Sequence, residues 1–408
     1  MSKFVSTTAL LSALLLAPAL GVAAPDAAAI HARALVLDSH ADVPSDLGVG
    51  AHDAALDTDG QVDLPKLERG QVDAVVLAVF TPQGPRTPEG YAKARAETDA
   101  KLAAIRAIPE KYPDRAVLAL SAADVDAAAK AGKRAIIVGF LNAYPFGKDL
   151  APIDAYYIAG VRSFGFVHAG NNDYADSSRP TGEPKVEWGG LSPVGKAAVA
   201  KLNQLGVIID VSQLTPDGVL QTLALSKAPV VASHSGVKGV IDAPRNLSDA
   251  ELDAIAAHGG VVQIVAFSPY LIKPGPDYPA KVATLRTQYG LPVEFKKPAD
   301  GTDALSAEQR AKFSHEASTL LPKASVRELA DSIDYAVKRI GIDHVGIASD
   351  FNHGGGVIGW ANEGETGNVT AELVRRGYSE ADIDKLWGGN WLRVFRQVEA
   401  AAHEPGRP

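Results

Sequence analysis

The chain has 408 residues, of which 46% are apolar, 22% charged and 6% aromatic, which is too apolar for a wholly disordered protein and enough for a large buried core. A net charge of −8, with no basic run or arginine-rich stripe, excludes a phosphate backbone as the expected partner. Cysteine is absent, which excludes disulfides, thiolate metal sites and a cysteine nucleophile, so any metal must rest on His, Asp and Glu.

The chain opens with Lys3, an apolar stretch over Ala9–Val22, and small residues at Gly21 and Ala23. This pattern reads as a secretory leader over residues 1–24, too short for the ~20 apolar residues of a spanning helix. Cleavage is expected near Ala23 or Ala24, leaving residues 25–408 as one exported, periplasmic domain with no stable membrane span.

Eight short, mostly apolar runs follow: Ala34–Asp38, Ala74–Phe80, Ala135–Phe140, Val161–Val167, Val207–Val211, Pro229–Ala232, Gly260–Val265 and His344–Ser349. Near-continuous apolar runs are the mark of parallel strands buried on both faces. Between them lie stretches of helical period, Pro88–Ile108, Pro193–Leu205, Pro216–Leu225, Ser248–Ala257 and Ser325–Ile340. The pairs Thr87-Pro88, Ser192-Pro193 and Thr215-Pro216 each set a hydroxyl at the N-cap and proline at the first helical position. Eight alternating units predict an α/β fold of the (β/α)8 TIM-barrel class. The long connection Ser268–Leu321, after the seventh strand, is expected to cover the site. Residues 370–399 read as closing helices, with Trp387, Trp391, Leu392 and Phe395 as packing residues.

Barrel enzymes draw their catalytic groups from the C-terminal ends of several strands. Here those ends carry Asp38-Ser39-His40-Ala41-Asp42, Leu141-Asn142, His168, Ser212-Gln213, Ser233-His234 and Asp350. In an extended strand His40 and Asp42 point the same way and can share a cation. With His168, His234 and Asp350 they outline a metal-assisted, amidohydrolase-type hydrolase. In that chemistry a metal acidifies water, a carboxylate takes its proton, and a His or the metal meets the developing oxyanion.

The chain resembles the membrane (renal-type) dipeptidases over nearly all of its mature length. The motifs that carry the likeness are Asp38-Ser39-His40-Ala41-Asp42, Val62-Asp63-Leu64-Pro65, Gly190-Leu191-Ser192, Gly206 to Ser212, Ser233-His234-Ser235, Arg245-Asn246, Ser349-Asp350-Phe351 and Gly389-Asn390-Trp391. The resemblance implies a two-zinc barrel that hydrolyses dipeptides, often with a D-residue at the C-terminal position. It implies His40 and Asp42 as ligands of one zinc, His234 as a ligand of the other, and Asp350 as the carboxylate handling the water proton. His168 would then meet the carbonyl or tetrahedral oxygen, and Arg245, with Asn246 and Tyr270 as further candidates, the substrate carboxylate. A homodimer is a further implication.

Two positions depart from the family pattern. Leu141 stands where a bridging Glu is expected, and Gln213 where a His ligand is expected. Leucine cannot bind a cation, and an amide is a poor zinc ligand beside imidazole. One zinc is therefore favoured over two, with His353 in the Gly-rich turn Asp350–Gly356 as an added ligand or proton acceptor. The alternative readings are a catalytically weak barrel that binds small peptides or cell-wall fragments, and a single-metal hydrolase of another amide or a lactone.

Overall fold

The computed structural model describes residues 26–44, 46–181, 183–294 and 301–402. The leader expected over residues 1–24 lies outside them.

One parallel sheet contains β1 (Leu37–Asp42), β2 (Ala74–Phe80), β3 (Ala116–Leu118), β4 (Arg134–Leu141), β5 (Val161–Gly165), β6 (Ile208–Asp210), β7 (Val231–Ser235), β8 (Val261–Val265) and β9 (Val345–Ala348). Its path runs β1-β2-β4-β5-β6-β7-β8-β9. The ends of the path meet through two backbone hydrogen bonds: Asp350 N–H donates to the His40 carbonyl at 3.0 Å, and Asp42 N–H to the Phe351 carbonyl at 2.9 Å. With helices alternating between the strands, the fold is a (β/α)8 barrel.

The ninth strand, β3, was not read in the sequence. It pairs only with the base of β4, Ala116 against Arg134 through Leu118 against Ile136, while β5 takes over that edge from Val138 onward. Three residues are too few to leave a periodic signal.

Strands β1 and β7 run further toward their C-terminal ends than their apolar residues indicate. Polar side chains are accommodated there because they are satisfied inside the barrel. Ser39 Oγ donates to the Ser233 carbonyl at 2.8 Å, and Ser233 Oγ donates to Asp210 Oδ2 at 2.6 Å. The extension carries His40, Asp42 and His234 within strands rather than beyond them.

The expected caps form. Ser192 Oγ accepts from Gly195 N–H at 3.0 Å ahead of helix Pro193–Leu205, and Thr215 Oγ1 from Gly218 N–H at 3.2 Å ahead of Pro216–Leu225. Ser248 and Ser325 close capping boxes with Glu251 and Glu328.

The connection after β8 is not an open loop. It contains helices Tyr278–Gln288 and Ala307–Leu320, which share a small apolar cluster of Leu285, Leu291 and Phe313, separate from the barrel core. At the opposite end of the chain, helix Asn390–Ala402 packs Trp391, Leu392, Phe395 and Val398 against Leu37, Ala74, Ile208, Val231 and Val261. Those partners begin their strands, so this helix plugs the N-terminal mouth of the barrel and leaves the other mouth to the chemistry.

Candidate active site

His40 on β1, His234 on β7 and Asp350 just past β9 converge at the C-terminal mouth. One ligand atom from each lies within 4.8 Å of the others. The His40 and His234 rings stack at 3.8 Å between centroids and 16° between planes, and His40 Nε2 stands 3.9 Å from Asp350 Oδ1. Among the described residues, His40 Nε2 is buried with no hydrogen-bond partner, as is Asp42 Oδ1 on the same strand. Orphaned buried acceptors of this kind need an external partner, and a nitrogen-plus-carboxylate donor set suits a borderline divalent cation such as zinc. The residues therefore fit one such ion.

Asp42 lies outside the tight triad but lines the same cavity, and its Oδ2 touches His353 Nδ1 at 2.5 Å. Burial works to lower the His353 pKa, but the Asp42 carboxylate more than offsets it and leaves the imidazole raised. Burial pushes Asp350 up to about 6, with His40 opposing and the Asp42 charge adding to the rise.

His234 is oriented by a directional chain of hydrogen bonds. A carboxylate can only accept, so Ser233 Oγ donates to Asp210 Oδ2 and must accept from His234 Nδ1 at 2.7 Å. This fixes the proton on Nδ1 and turns the bare Nε2 toward the cavity. At the other end a guanidinium can only donate, so Arg179 Nη2 gives a hydrogen to Gln213 Oε1 at 2.8 Å, which turns the Gln213 NH2 to His234 Nε2 at 3.1 Å. The relay runs from Arg179 through Gln213, His234 and Ser233 to Asp210.

Asn142, Gln213 and Asp350 follow their strands with φ of 77°, 73° and 56°. Left-handed backbone at non-glycine residues costs on the order of 1–3 kcal/mol each and gathers at functional sites. Two of the three, Gln213 and Asp350, line the cavity.

That cavity is lined by Asp42, His234, Asp350, His168, Arg179 and Arg245, together with Leu141 and Tyr270. His168 sits three residues beyond β5. Burial, then the charge of Arg179, holds it neutral by lowering its pKa to about 2. Its Nε2 accepts from Arg179 Nη2 at 3.2 Å, so Nδ1 carries the proton. Arg245 donates to the His234 carbonyl at 2.9 Å, and its guanidinium stands 5.6 Å from the Tyr270 ring centroid. Asn246 does not border the cavity. Its amide donates to the Ile241 and Tyr270 carbonyls at 2.8 and 3.0 Å and holds the Tyr270 segment in place. Of the described residues of 268–321, Tyr270 alone lines the cavity.

Sequence reasoning assigned no role to Arg179 or Asp210. A lone Arg before Pro180 leaves no periodic trace, whereas Asp210, a carboxylate ending the apolar run Val207-Ile208-Ile209, was a usable signal. A third feature, also unread, lies beneath the site. Asp38 accepts from Ser349 N–H at 2.9 Å and faces the fully buried Glu363. No donor among the described residues reaches either Glu363 oxygen. Burial first, then the Asp38 charge, raises the Glu363 pKa well above normal, so Glu363 is the partner held protonated and donates to Asp38.

The architecture recurs in known proteins. The structure superposes on the crystal structure of the probable dipeptidase PvdM from Pseudomonas aeruginosa with a TM-score of 0.84, at 43% identity over 92% of this chain and 98% of that one. It shares its fold with a metallo peptidase from Rhodobacter sphaeroides, solved with a phosphinate mimic of the dipeptide L-Ala-D-Ala. That match has a TM-score of 0.71 at 22% identity, over 89% of this chain and 99% of the other. Dipeptidase tcpJ of Claviceps purpurea (strain 20.1) is 28% identical over 355 residues, 85% of this chain and 71% of the relative. The model of the membrane dipeptidase family, peptidase family M19, matches residues 25–406, and the chain belongs to that family of metallopeptidases.

Proposed function

We propose that this protein is an active dipeptidase that cleaves the peptide bond of small dipeptides at a single zinc ion. The observation that carries this reading is the buried His40–His234–Asp350 triad, whose ligand atoms lie within 4.8 Å of one another, with His40 Nε2 unpartnered. His40 and His234 would hold the ion with Asp350 and the free oxygen of Asp42, while Leu141 and Gln213 offer a second ion little to bind. When bound, the ion supplies Lewis acidity to a water and to the scissile carbonyl.

The remaining work falls to the chain's own groups. Asp350 accepts the water proton. His168, neutral and protonated on Nδ1, offers that N–H to the carbonyl oxygen as charge develops on it. The Arg245 fork receives the C-terminal carboxylate of the substrate, and the ring of Tyr270 beside it limits how that end can lie. A D-residue at the C-terminal position is part of the reading, supported by the L-Ala-D-Ala mimic bound to the Rhodobacter protein. The leader-like residues 1–24 support export to a periplasm.

The test is zinc content per chain together with product release from a panel of L,L and L,D dipeptides. One ion per chain and turnover support the reading. Two tightly held ions would overturn the single-ion part, and no turnover with any divalent ion would overturn the peptidase. The second outcome would favour a pocket that binds small peptides or cell-wall fragments without cleaving them, a reading supported by the contact of Gln213 with His234.

A further inference from the structure

The cavity is lined by two arginines that no carboxylate of the described residues pairs directly. Among the described residues, neither Arg179 nor Arg245 has an Asp or Glu oxygen within ion-pair distance, whereas Arg376 alone is paired with Glu372, Asp331 and Asp334. Arg245 is only 3% exposed, and the Nε atoms of both arginines are buried without a partner. Arg179 is half-buried, whereas Arg245 is a buried cation, which is costly without an anion and is expected to meet one from outside.

The two carboxylates of the cavity are committed elsewhere and pair with neither arginine directly. Asp42 is engaged by His353, and Asp350 faces His40 at the metal cluster. Arg179 is also held rather than loose, since Gln213 Oε1 and His168 Nε2 fix its Nη2 and leave its Nε uncommitted. A dipeptide with uncharged side chains brings one carboxylate, enough for Arg245. Arg179 would then be left without an anionic partner.

Resting on the dipeptidase reading above, we infer that Arg179 is a specificity residue: with Arg245 it forms a two-cation receptor for a dicarboxylate substrate, a dipeptide with an acidic side chain. Arg245 takes the C-terminal carboxylate and Arg179 the side-chain carboxylate.

The experiment has two arms. In the first, the zinc-loaded enzyme is assayed on matched pairs that differ only in charge, L-Ala-L-Glu against L-Ala-L-Gln and L-Glu-L-Ala against L-Gln-L-Ala. The Glu member of at least one pair is expected to be favoured about tenfold or more in kcat/KM. Arg179→Gln should collapse that ratio toward one, and Arg179→Lys should restore part of it. In the second, calorimetry on metal-depleted protein compares glutarate with acetate. Glutarate should bind about tenfold tighter, and Arg179→Gln should abolish the difference.

Turnover with no preference for the Glu members, and glutarate no tighter than acetate, would overturn the receptor and leave the dipeptidase standing. The receptor also falls if Arg179→Gln lowers kcat/KM by the same factor for charged and neutral members and leaves their ratio unchanged, since Arg179 would then act only through His168 and the His234 relay. Tight glutarate binding lost in Arg179→Gln, with no dipeptide cleaved, would overturn the dipeptidase and keep the receptor.

Discussion

The side-chain amide of Gln213 stands 3.1 Å from Nε2 of His234, on the one nitrogen that the Ser233–Asp210 pair leaves bare. A lone pair can serve a single partner, so the amide and a cation compete for it. Removing the amide with Gln213→Ala is expected to tighten zinc by about 1 kcal/mol, roughly fivefold. A competition titration with a chelating dye measures this, and unchanged affinity would mean the amide does not hold that nitrogen.

Ser233→Ala cuts the relay on the other side. His234 loses the acceptor that fixes its proton on Nδ1, and partners of this kind are typically worth 10–100-fold in metal affinity. The same titration should show a loss of about tenfold for this variant, opposite in sign to Gln213→Ala.

Asp350→Asn keeps the size of the side chain but removes the proton acceptor. At saturating zinc its kcat is expected to fall by about 10²–10⁴. Assaying across a zinc series separates this from weaker ion binding, because a defect only in affinity disappears as zinc rises.

The Asp38–Glu363 pair sets a pH dependence of stability. Burial holds both carboxyls above their ordinary values of 3.8 and 4.5, and the Asp38 charge adds to the rise at Glu363. An unfolded chain releases these protons near the ordinary values, while the folded chain keeps one to higher pH. Folding therefore takes up a proton above about pH 5, and stability falls as pH rises through the folded values. Glu363→Gln cannot ionise and can still donate to Asp38. Urea melts at pH 5 and pH 8 should show the variant gaining on the parent as pH rises, and a constant difference would contradict a proton held on Glu363.

At the plugged mouth, Trp391→Ala removes a large buried side chain against the strand starts. A loss of about 3–5 kcal/mol is expected in the same melts. The folded fraction should keep its zinc affinity, because the triad sits at the other mouth.

Apolar runs and hydroxyl-proline caps made the barrel readable, since buried parallel strands and capped helices both leave local marks. The ends of β1 and β7 were less readable because Ser39, His40 and His234 interrupt the apolar pattern, and only contacts across the barrel show that the strands continue through them. The triad itself was legible as single residues at strand ends. What the sequence concealed was direction: that Gln213 faces His234, that His353 leans on Asp42, and that Arg179 reaches in from a turn before Pro180. Such contacts depend on rotamers and on partners far apart in the chain, and neither has a sequence period.

The bonds that join Asp350 to His40 and Asp42 to Phe351 tie the first strand of the barrel to the segment after its last. Sealing the ring and assembling the metal-binding groups are thus one event. A nascent chain that has emerged only as far as β8 has His40, Asp42 and His234 but neither Asp350 nor the bonds that close the ring. Capacity to bind zinc should therefore arrive late in synthesis, all at once, with the residues that follow position 345.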